Sequence, residues 1–233
     1  VGAGSFVPFL FKLYENVPHV ILDVVDVDQK SLEAFDLLLD KIGIAHNFTI
    51  NRICHDFLTW EPTYRYDLVV GNPPFSKLKK KTPDIIEATK YNKNQATNNL
   101  AALFLEKCMG CSDCVALVLN KNILSTEEYS ETRNLLRTVK IASIVDFGRY
   151  GFTGVSIETM CMVVYPRQKP KETTVYSMKY NKKYIHNQDY ITDETYPSFL
   201  IYRDEQFDSV AKKLDFDVFS VFRDRQITKS TTI

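Results

Sequence analysis

An asparagine followed by two prolines and an aromatic ring, Asn72-Pro73-Pro74-Phe75, carries the most specific chemistry in this chain. Consecutive prolines fix φ and lack backbone N–H groups, so their carbonyls are displayed without competing donors. The Asn72 side-chain oxygen and a proline carbonyl can together accept both hydrogens of one –NH2 group. Phe75 can stack on a planar substrate. The constellation suits one task, which is to hold a planar conjugated amine and make its nitrogen a nucleophile. The lone pair of such an amine is delocalised into its ring. Two acceptors drawing the hydrogens out of plane favour the tetrahedral nitrogen that the transition state needs. The alternative is a strand that ends in a proline-rich turn.

Upstream, Gly2-Ala3-Gly4 leads into a helix, and Asp26 closes an apolar run 24 residues after Gly2. Two glycines allow close backbone approach to a ligand, and an acid at that distance can bind ribose hydroxyls. Val7 stands where a nicotinamide-binding loop has its third glycine, which points to a nucleoside ligand without pyrophosphate. The helix N-terminus of any α/β protein is the plainer reading. Asp56-Phe57 follows another β-rich run, where a carboxylate can accept from an adenine amine or cap a helix. Lys77, Lys79, Lys80 and Lys81 follow the Asn-Pro-Pro-Phe loop directly, as a solvated loop or as phosphate contacts. Cys108, Cys111 and Cys114 have the spacing of a metal or iron–sulfur motif but lack a fourth ligand. They are read as reduced, partly buried thiols, and no metal is assigned.

These residues need elements to position them. Residues 5–15 read as a helix, with Ser5 as cap and Pro8 in the first turn. Residues 19–25 are a strand interrupted only by Asp23. Residues 29–41 are a helix with Leu32, Phe35, Leu38 and Leu39 on one face, stopped by Gly43. Strands follow at 48–53 and 66–70, the second running into the proline loop. The stretch 76–98 is polar and Lys-rich. A helix at 99–108, a strand at 114–119 and a helix at 125–138 capped at Ser125 come next. Strands are expected at 141–147, 157–165 and 173–178, weak periodicity at 180–197 and a short helix at 205–214. Strands alternating with helices predict a mostly parallel sheet covered on both faces, with ligands at the carboxyl ends of its strands.

The 233 residues make one large domain, or one domain and part of another. Lys+Arg and Asp+Glu are each 29, so no global basic field marks a nucleic-acid partner, although a local patch suffices. No apolar run reaches the ~18–20 residues of a membrane helix. Five cysteines, an odd number, point to a reducing compartment, the cytoplasm. Val1-Gly2-Ala3-Gly4 looks like the middle of a motif, so the natural protein is expected to extend N-terminally.

Taken in order and spacing, Val1-Gly-Ala-Gly-Ser-Phe6, Asp26-Val-Asp28, Asp56-Phe57 and Asn72-Pro-Pro-Phe75 resemble class I S-adenosylmethionine-dependent amino-methyltransferases. More closely they resemble the N6-adenine DNA methyltransferases of restriction–modification systems, type II-like, of the N6 DNA methylase (Asn-Pro-Pro-Tyr/Phe) group. The resemblance covers about residues 1–165. It continues in Asn99-Leu-Ala-Ala-Leu-Phe-Leu-Glu106, in Asn120-Lys-Asn-Ile-Leu124 and in the stretch from Val145 to Glu158, where Phe152 matches an aromatic that lies against a flipped-out base. Residues 218–227 look like the entry to a target-recognition domain, most of which is absent. An acidic residue and a proline that the family has upstream of Val1 are also absent, and Phe75 replaces the commoner tyrosine.

The resemblance implies a Rossmann-like fold, with a mostly parallel seven-stranded sheet, one antiparallel strand and helices on both faces. Residues 1–170 would be the catalytic domain and 171–233 an extension toward target recognition. S-adenosyl-L-methionine would be the cofactor, met by Gly2, Gly4, Phe6, Asp26, Val27, Asp56 and Phe57. Asn72, Pro73, Pro74 and Phe75 would be catalytic, and Phe152, Lys77 and Lys79 would meet the substrate. The implied partner is double-stranded DNA, with a restriction nuclease or specificity partner or fused domain, in a prokaryotic cytoplasm beside the nucleoid. RNA guanine-N2 or adenine-N6 transfer, protein-glutamine transfer and a non-catalytic subunit of a restriction complex are the alternatives.

Overall fold

A computed structural model of the chain describes Gly2, residues 4–149, Gly151 and residues 157–213. It falls into two compact units, Val1–Ile201 and Tyr202–Ile233. In the second, α7 (Glu205–Lys213) is described, with the Asp204 carboxylate accepting the Phe207 amide at 2.7 Å. All else below concerns the first.

The first unit opens with α1 (Val7–Leu13), β1 (Val20–Asp26), α2 (Gln29–Ile42) and β2 (Phe48–Cys54). β1 and β2 pair in parallel from Val20↔Phe48 to Asp26↔Cys54. Val24 on β1 packs with Val7, Leu32, Phe35 and Leu39 in one core, so both helices cover the same face. Asp28 caps α2 by accepting the Lys30 amide, and Gly43, at φ 76°, ends it as expected. Ser5 does not cap α1. Phe6 is the N-cap, without a side-chain bond, and the Val7 amide instead reaches the Gly4 carbonyl at 2.9 Å.

β3 (Val69–Gly71) begins a second sheet, of order β3-β4-β6-β5-β7-β8. Its other strands are β4 (Val115–Asn120), β5 (Lys140–Gly148), β6 (Thr159–Tyr165), β7 (Glu172–Ser177) and β8 (Lys182–Asn187). β3–β4 and β5–β7 are parallel, while β4–β6, β5–β6 and β7–β8 are antiparallel. The expectation of one mostly parallel seven-stranded sheet is therefore corrected. The described strands form a two-stranded parallel ladder and a six-stranded mixed sheet, and the antiparallel β6 lies between β4 and β5. The chain also continues in the same unit beyond residue 170. β7 pairs with β5, and the buried Gln188 of α6 (Gln188–Ile191) fastens the segment behind it. Its Oε1 accepts the Ile141 amide at 2.7 Å, and its Nε2 donates to the carbonyls of Leu136 and Val139.

Two further elements differ from the sequence reading. The Lys-rich stretch contains a short helix, α3 (Pro83–Ala88), capped by Thr82. The helix expected over 125–138 is one 3-10 turn (Glu127–Tyr129) followed by α5 (Ser130–Arg137), and Ser125, expected as its N-cap, instead ends a preceding 3-10 turn at Lys121–Leu124. The cause is Arg133, buried to 1% exposure, whose guanidinium donates to the carbonyls of Ile123 and Thr126 and ties them into tight turns. Between these, α4 (Leu100–Cys111) starts at an Asn99 cap. Among the described residues, no helix is long and apolar enough to cross a membrane.

Candidate functional site

The cofactor-side residues gather at the carboxyl ends of β1 and β2. The last residue of β1, Asp26, accepts the Gly2 amide at 3.0 Å through Oδ2 and the Asp28 amide at 2.9 Å through Oδ1. Burial favours the proton of Asp26, and the hydrogen bonds from the Asp28 and Gly2 amides oppose it. The Asp26 carbonyl accepts the His55 amide at 2.9 Å, which sets Asp56 beside it. One Asp56 oxygen accepts the Leu58 amide, and its Oδ2 has no partner among the described residues. Val27 is 71% exposed, an apolar side chain beside Asp26 with no protein surface over it. Gly4, at φ 76°, lies so close to Phe35 that a Cβ would sit 2.5 Å from the ring. Gly2, Gly4, Asp26, Val27 and Asp56 are therefore brought together at the carboxyl end of the β1–β2 ladder. Phe6 is half-buried at the start of α1. Phe57 packs at a tilt against Phe104 of α4, with ring centroids 5.1 Å apart and planes 34° from parallel.

The amine-side loop leaves β3 at Gly71. Asn72 is exposed, Pro73 buried, Pro74 exposed and Phe75 half-buried. Pro73 is the buried anchor, and the exposed Asn72 carboxamide has no hydrogen-bond partner among the described residues. A core of Leu58, Ile85 and Leu103, flanked by Leu78, Leu100 and Phe104, joins the segment after Asp56 to the segment after Phe75. Lys77, expected at phosphate, pairs with Glu128 at 2.6 Å. Lys81 donates to the Gln95 carbonyl, and Lys79 stays exposed. Phe152 and the expected entry to target recognition at 218–227 lie outside the described residues. Cys108 is buried on α4, where burial pushes its thiol well up, and Cys111 and Cys114 are free thiols. Among the described residues, no three His, Cys, Asp or Glu side chains are grouped to hold a metal.

Residues missed in the sequence complete the setting. Asp23 accepts the hydroxyls of Tyr66 at 2.5 Å and Tyr64 at 2.7 Å, and the Asn51 amide at 2.7 Å. An acid inside an apolar strand was the available signal. At the ends of β4 and β5, Lys121 pairs with Asp146 at 2.9 Å and Glu158 at 3.3 Å. Nothing in the local pattern connects residues so far apart.

A parallel α/β ladder ending in Asp26, beside a second ladder ending in the Asn72-Pro73-Pro74-Phe75 loop, is the arrangement of the class I S-adenosylmethionine-dependent methyltransferase fold. Solved structures share the fold. A Listeria monocytogenes protein assigned to that class superposes with a TM-score of 0.60, at 13% identity over 76% of this chain and 55% of that one. The methyltransferase subunit of a type I restriction–modification system from Streptococcus thermophilus gives 0.58, at 16% identity over 91% and 45%. Residues 17–152 match the model of the Eco57I restriction-modification methylases, and the chain belongs to that family. Its cofactor is accordingly S-adenosylmethionine. A curated relative, the type II methyltransferase M.CvrRI of Paramecium bursaria Chlorella virus XZ-6E, is 26% identical over 175 residues. The match covers 71% of this chain and 41% of that relative.

Proposed function

We propose that the chain carries the methyl-transfer site of a restriction–modification DNA methyltransferase, and that the acceptor is N6 of an adenine turned out of the duplex. The observation that carries the reading is Asn72, its carboxamide exposed without a partner among the described residues, on a loop anchored by buried Pro73. S-adenosylmethionine supplies an electrophilic methyl group when bound. Asp26 binds the ribose hydroxyls and Asp56 the adenine amine of the cofactor, with Val27 on that ring. Asn72 Oδ1 and the Pro73 carbonyl accept the two hydrogens of the substrate amine, and Phe75 stacks on the base. Drawing those hydrogens out of the ring plane frees the nitrogen lone pair for in-line attack. The residues act by positioning and electrostatics, and no strong base is needed, since the nitrogen gains positive charge and can lose its proton afterwards. An adenine paired in a duplex cannot reach this loop, so it leaves the stack first, at a cost of a few kcal/mol. Lys79, exposed just after this loop, would meet a phosphate.

The test uses the full-length protein with radiolabelled cofactor against duplex DNA, RNA and protein acceptors, followed by mass spectrometry of the nucleosides. N6-methyladenine in DNA, absent with Asn72→Ala, is expected. Transfer only to RNA or protein, or tight cofactor binding without transfer to any acceptor, would overturn the reading.

A further inference from the structure

We infer that Glu106 is a positioning residue, whose buried carboxylate holds the folded-back segment on which the far end of the Asn72-Pro73-Pro74-Phe75 loop rests. The inference rests on the methyl-transfer reading above. Glu106 sits on α4, in an otherwise apolar run, at 8% exposure. Its Oε2 accepts the Lys93 amide at 2.6 Å and its Oε1 the Asn94 amide at 3.0 Å. Asn94, 2% exposed, extends the anchor. Its Nδ2 donates to the Glu128 carbonyl and the Thr132 hydroxyl, and its Oδ1 accepts the Thr97 amide. Residues 93–99 are thereby pinned to α4 and to the start of α5.

That pinned turn in turn holds the residues just after Phe75. The Leu78 amide donates to the Asn98 carbonyl at 2.8 Å and the Leu100 amide to the Ser76 carbonyl at 3.0 Å. Lys77 and Asn99 pair antiparallel between them, and Lys81 reaches the Gln95 carbonyl. The amine-gripping loop is thus fixed at one end by β3 and at the other by a strap that begins one residue after Phe75. A carboxylate buried on an apolar helix is costly unless its oxygens are satisfied, and here both are used on the strap. Packing alone would be served by leucine.

The charges facing this carboxylate are few. Lys81 and Lys93 lie on the strap, and Asp84 and Glu87 on α3, with Glu87 paired to Lys90. On α4, Lys107 pairs with Glu61. Beside α5, Glu128 pairs with Lys77, and Arg133 is bound to carbonyls. Burial holds the Glu106 proton above the usual carboxylate range, against the opposing pull of the Asn94 and Lys93 amides and the two lysines.

Glu106→Gln in the full-length enzyme keeps one acceptor and turns an –NH2 toward the other amide. It also removes a buried charge, so the fold is expected to survive. Glu106→Leu removes both acceptors and is the second variant. Amide hydrogen exchange at Leu78 and Leu100 is expected to quicken at least tenfold, with cofactor affinity unchanged. Single-turnover transfer should fall roughly 10–100-fold, which corresponds to one lost hydrogen bond to a charged group. Protonation of Glu106 loosens the same bond, so the acid limb of the parent's rate profile should be missing in Glu106→Gln. Parental exchange at Leu78 and Leu100 in both variants would overturn the inference whatever the methyl acceptor is. So would faster exchange with a parental transfer rate. Failure of the parent to methylate DNA would instead count against the proposed function, and the exchange data would still decide whether Glu106 holds the strap.

Discussion

Gly4→Ala is expected to damage the fold and the cofactor site together, and the structure sets the size of the effect. Gly4 has φ 76°, a conformation that costs an L-residue about 1–2 kcal/mol. The added Cβ would stand 2.5 Å from Cδ2 and 3.0 Å from Cε2 of Phe35, and 3.2 Å from Cδ2 of Leu38. Leu38 has a flexible end and can move. Phe35 cannot, because its ring is fully buried among Val7, Val24, Leu32 and Leu39. Overpacking of that kind costs about 1–3 kcal/mol. The two effects add to roughly 2–5 kcal/mol, a large share of the 5–15 kcal/mol typical of a domain. Urea unfolding at constant pH measures this, beside calorimetric cofactor affinity. A double-mutant cycle with Phe35→Leu separates the causes. The shorter side chain should recover the steric part and leave the conformational part. A Gly4→Ala protein within 1 kcal/mol of the parent, or a cycle without coupling to Phe35, would refute the close-approach argument.

Asn72→Ala should lower single-turnover methyl transfer by about 10²–10³, the usual loss for one preorganised polar contact to a developing charge, with cofactor affinity largely kept. Phe75→Ala should lose about 1–3 kcal/mol of stacking, whereas Phe75→Tyr or Phe75→Trp should retain most transfer, because the ring face makes the contact. Asp26→Ala should show its main defect in equilibrium cofactor binding rather than in the rate at saturating cofactor. Asp146→Ala should destabilise the unit by roughly 1.5–3 kcal/mol in urea, because Asp146 is 6% exposed and Lys121 would keep only its longer pair with Glu158.

Local structure is legible in the sequence wherever it is contiguous. Asn72-Pro73-Pro74-Phe75, the Gly2–Gly4 turn and the strand-closing Asp26 can be read because each joins a residue type to an adjacent element boundary. The same holds for α2, where Leu32, Phe35 and Leu39 mark a face and Gly43 marks its end. What failed was anything decided by a contact distant along the chain. Residues 180–197 lack periodicity because Gln188, a polar side chain with every bond directed at β5 and its approach, does the work that an apolar stripe does elsewhere. The helix expected from residue 125 is broken by Arg133, which outbids local propensity by binding two carbonyls. Sheet order was misjudged for a related reason. Alternating strands and helices imply parallel pairing, but the segment between β5 and β6 contains no described helix, and β6 turns back between β4 and β5. The Lys77–Glu128 pair, between residues 51 apart in the chain, leaves no local signal either.

The cofactor-side ladder, β1–β2, and the amine-side sheet that begins at β3 share no strand pairing among the described residues. Their mutual placement therefore rests on side chains, and the Asp23 cluster is the polar part of that link. Asp23 lies mid-way along β1, while Tyr64 and Tyr66 precede β3, so two short hydrogen bonds link the two ladders through one carboxylate, which also accepts from Asn51 of β2 within its own ladder. Burial raises the Asp23 carboxyl, but the bonds from Tyr66, Tyr64 and Asn51 outweigh it, and its value is held below the ordinary one. The sign comes from linkage. A carboxyl with a depressed folded value contributes its stability above the unfolded value of about 3.9, and loses it as pH falls through the lower, folded value. Asp23→Asn replaces charged acceptors with a neutral one and turns an –NH2 toward a tyrosine hydroxyl or Asn51. Charged hydrogen bonds contribute about 1.5–3 kcal/mol and neutral ones about 1, so a net loss of roughly 1–3 kcal/mol is expected at pH 7. Urea midpoints followed from pH 7 to pH 3 should converge between parent and variant as the parental carboxylate protonates. Midpoints that stay parallel across that range would show that the charge of Asp23 does not join the two ladders.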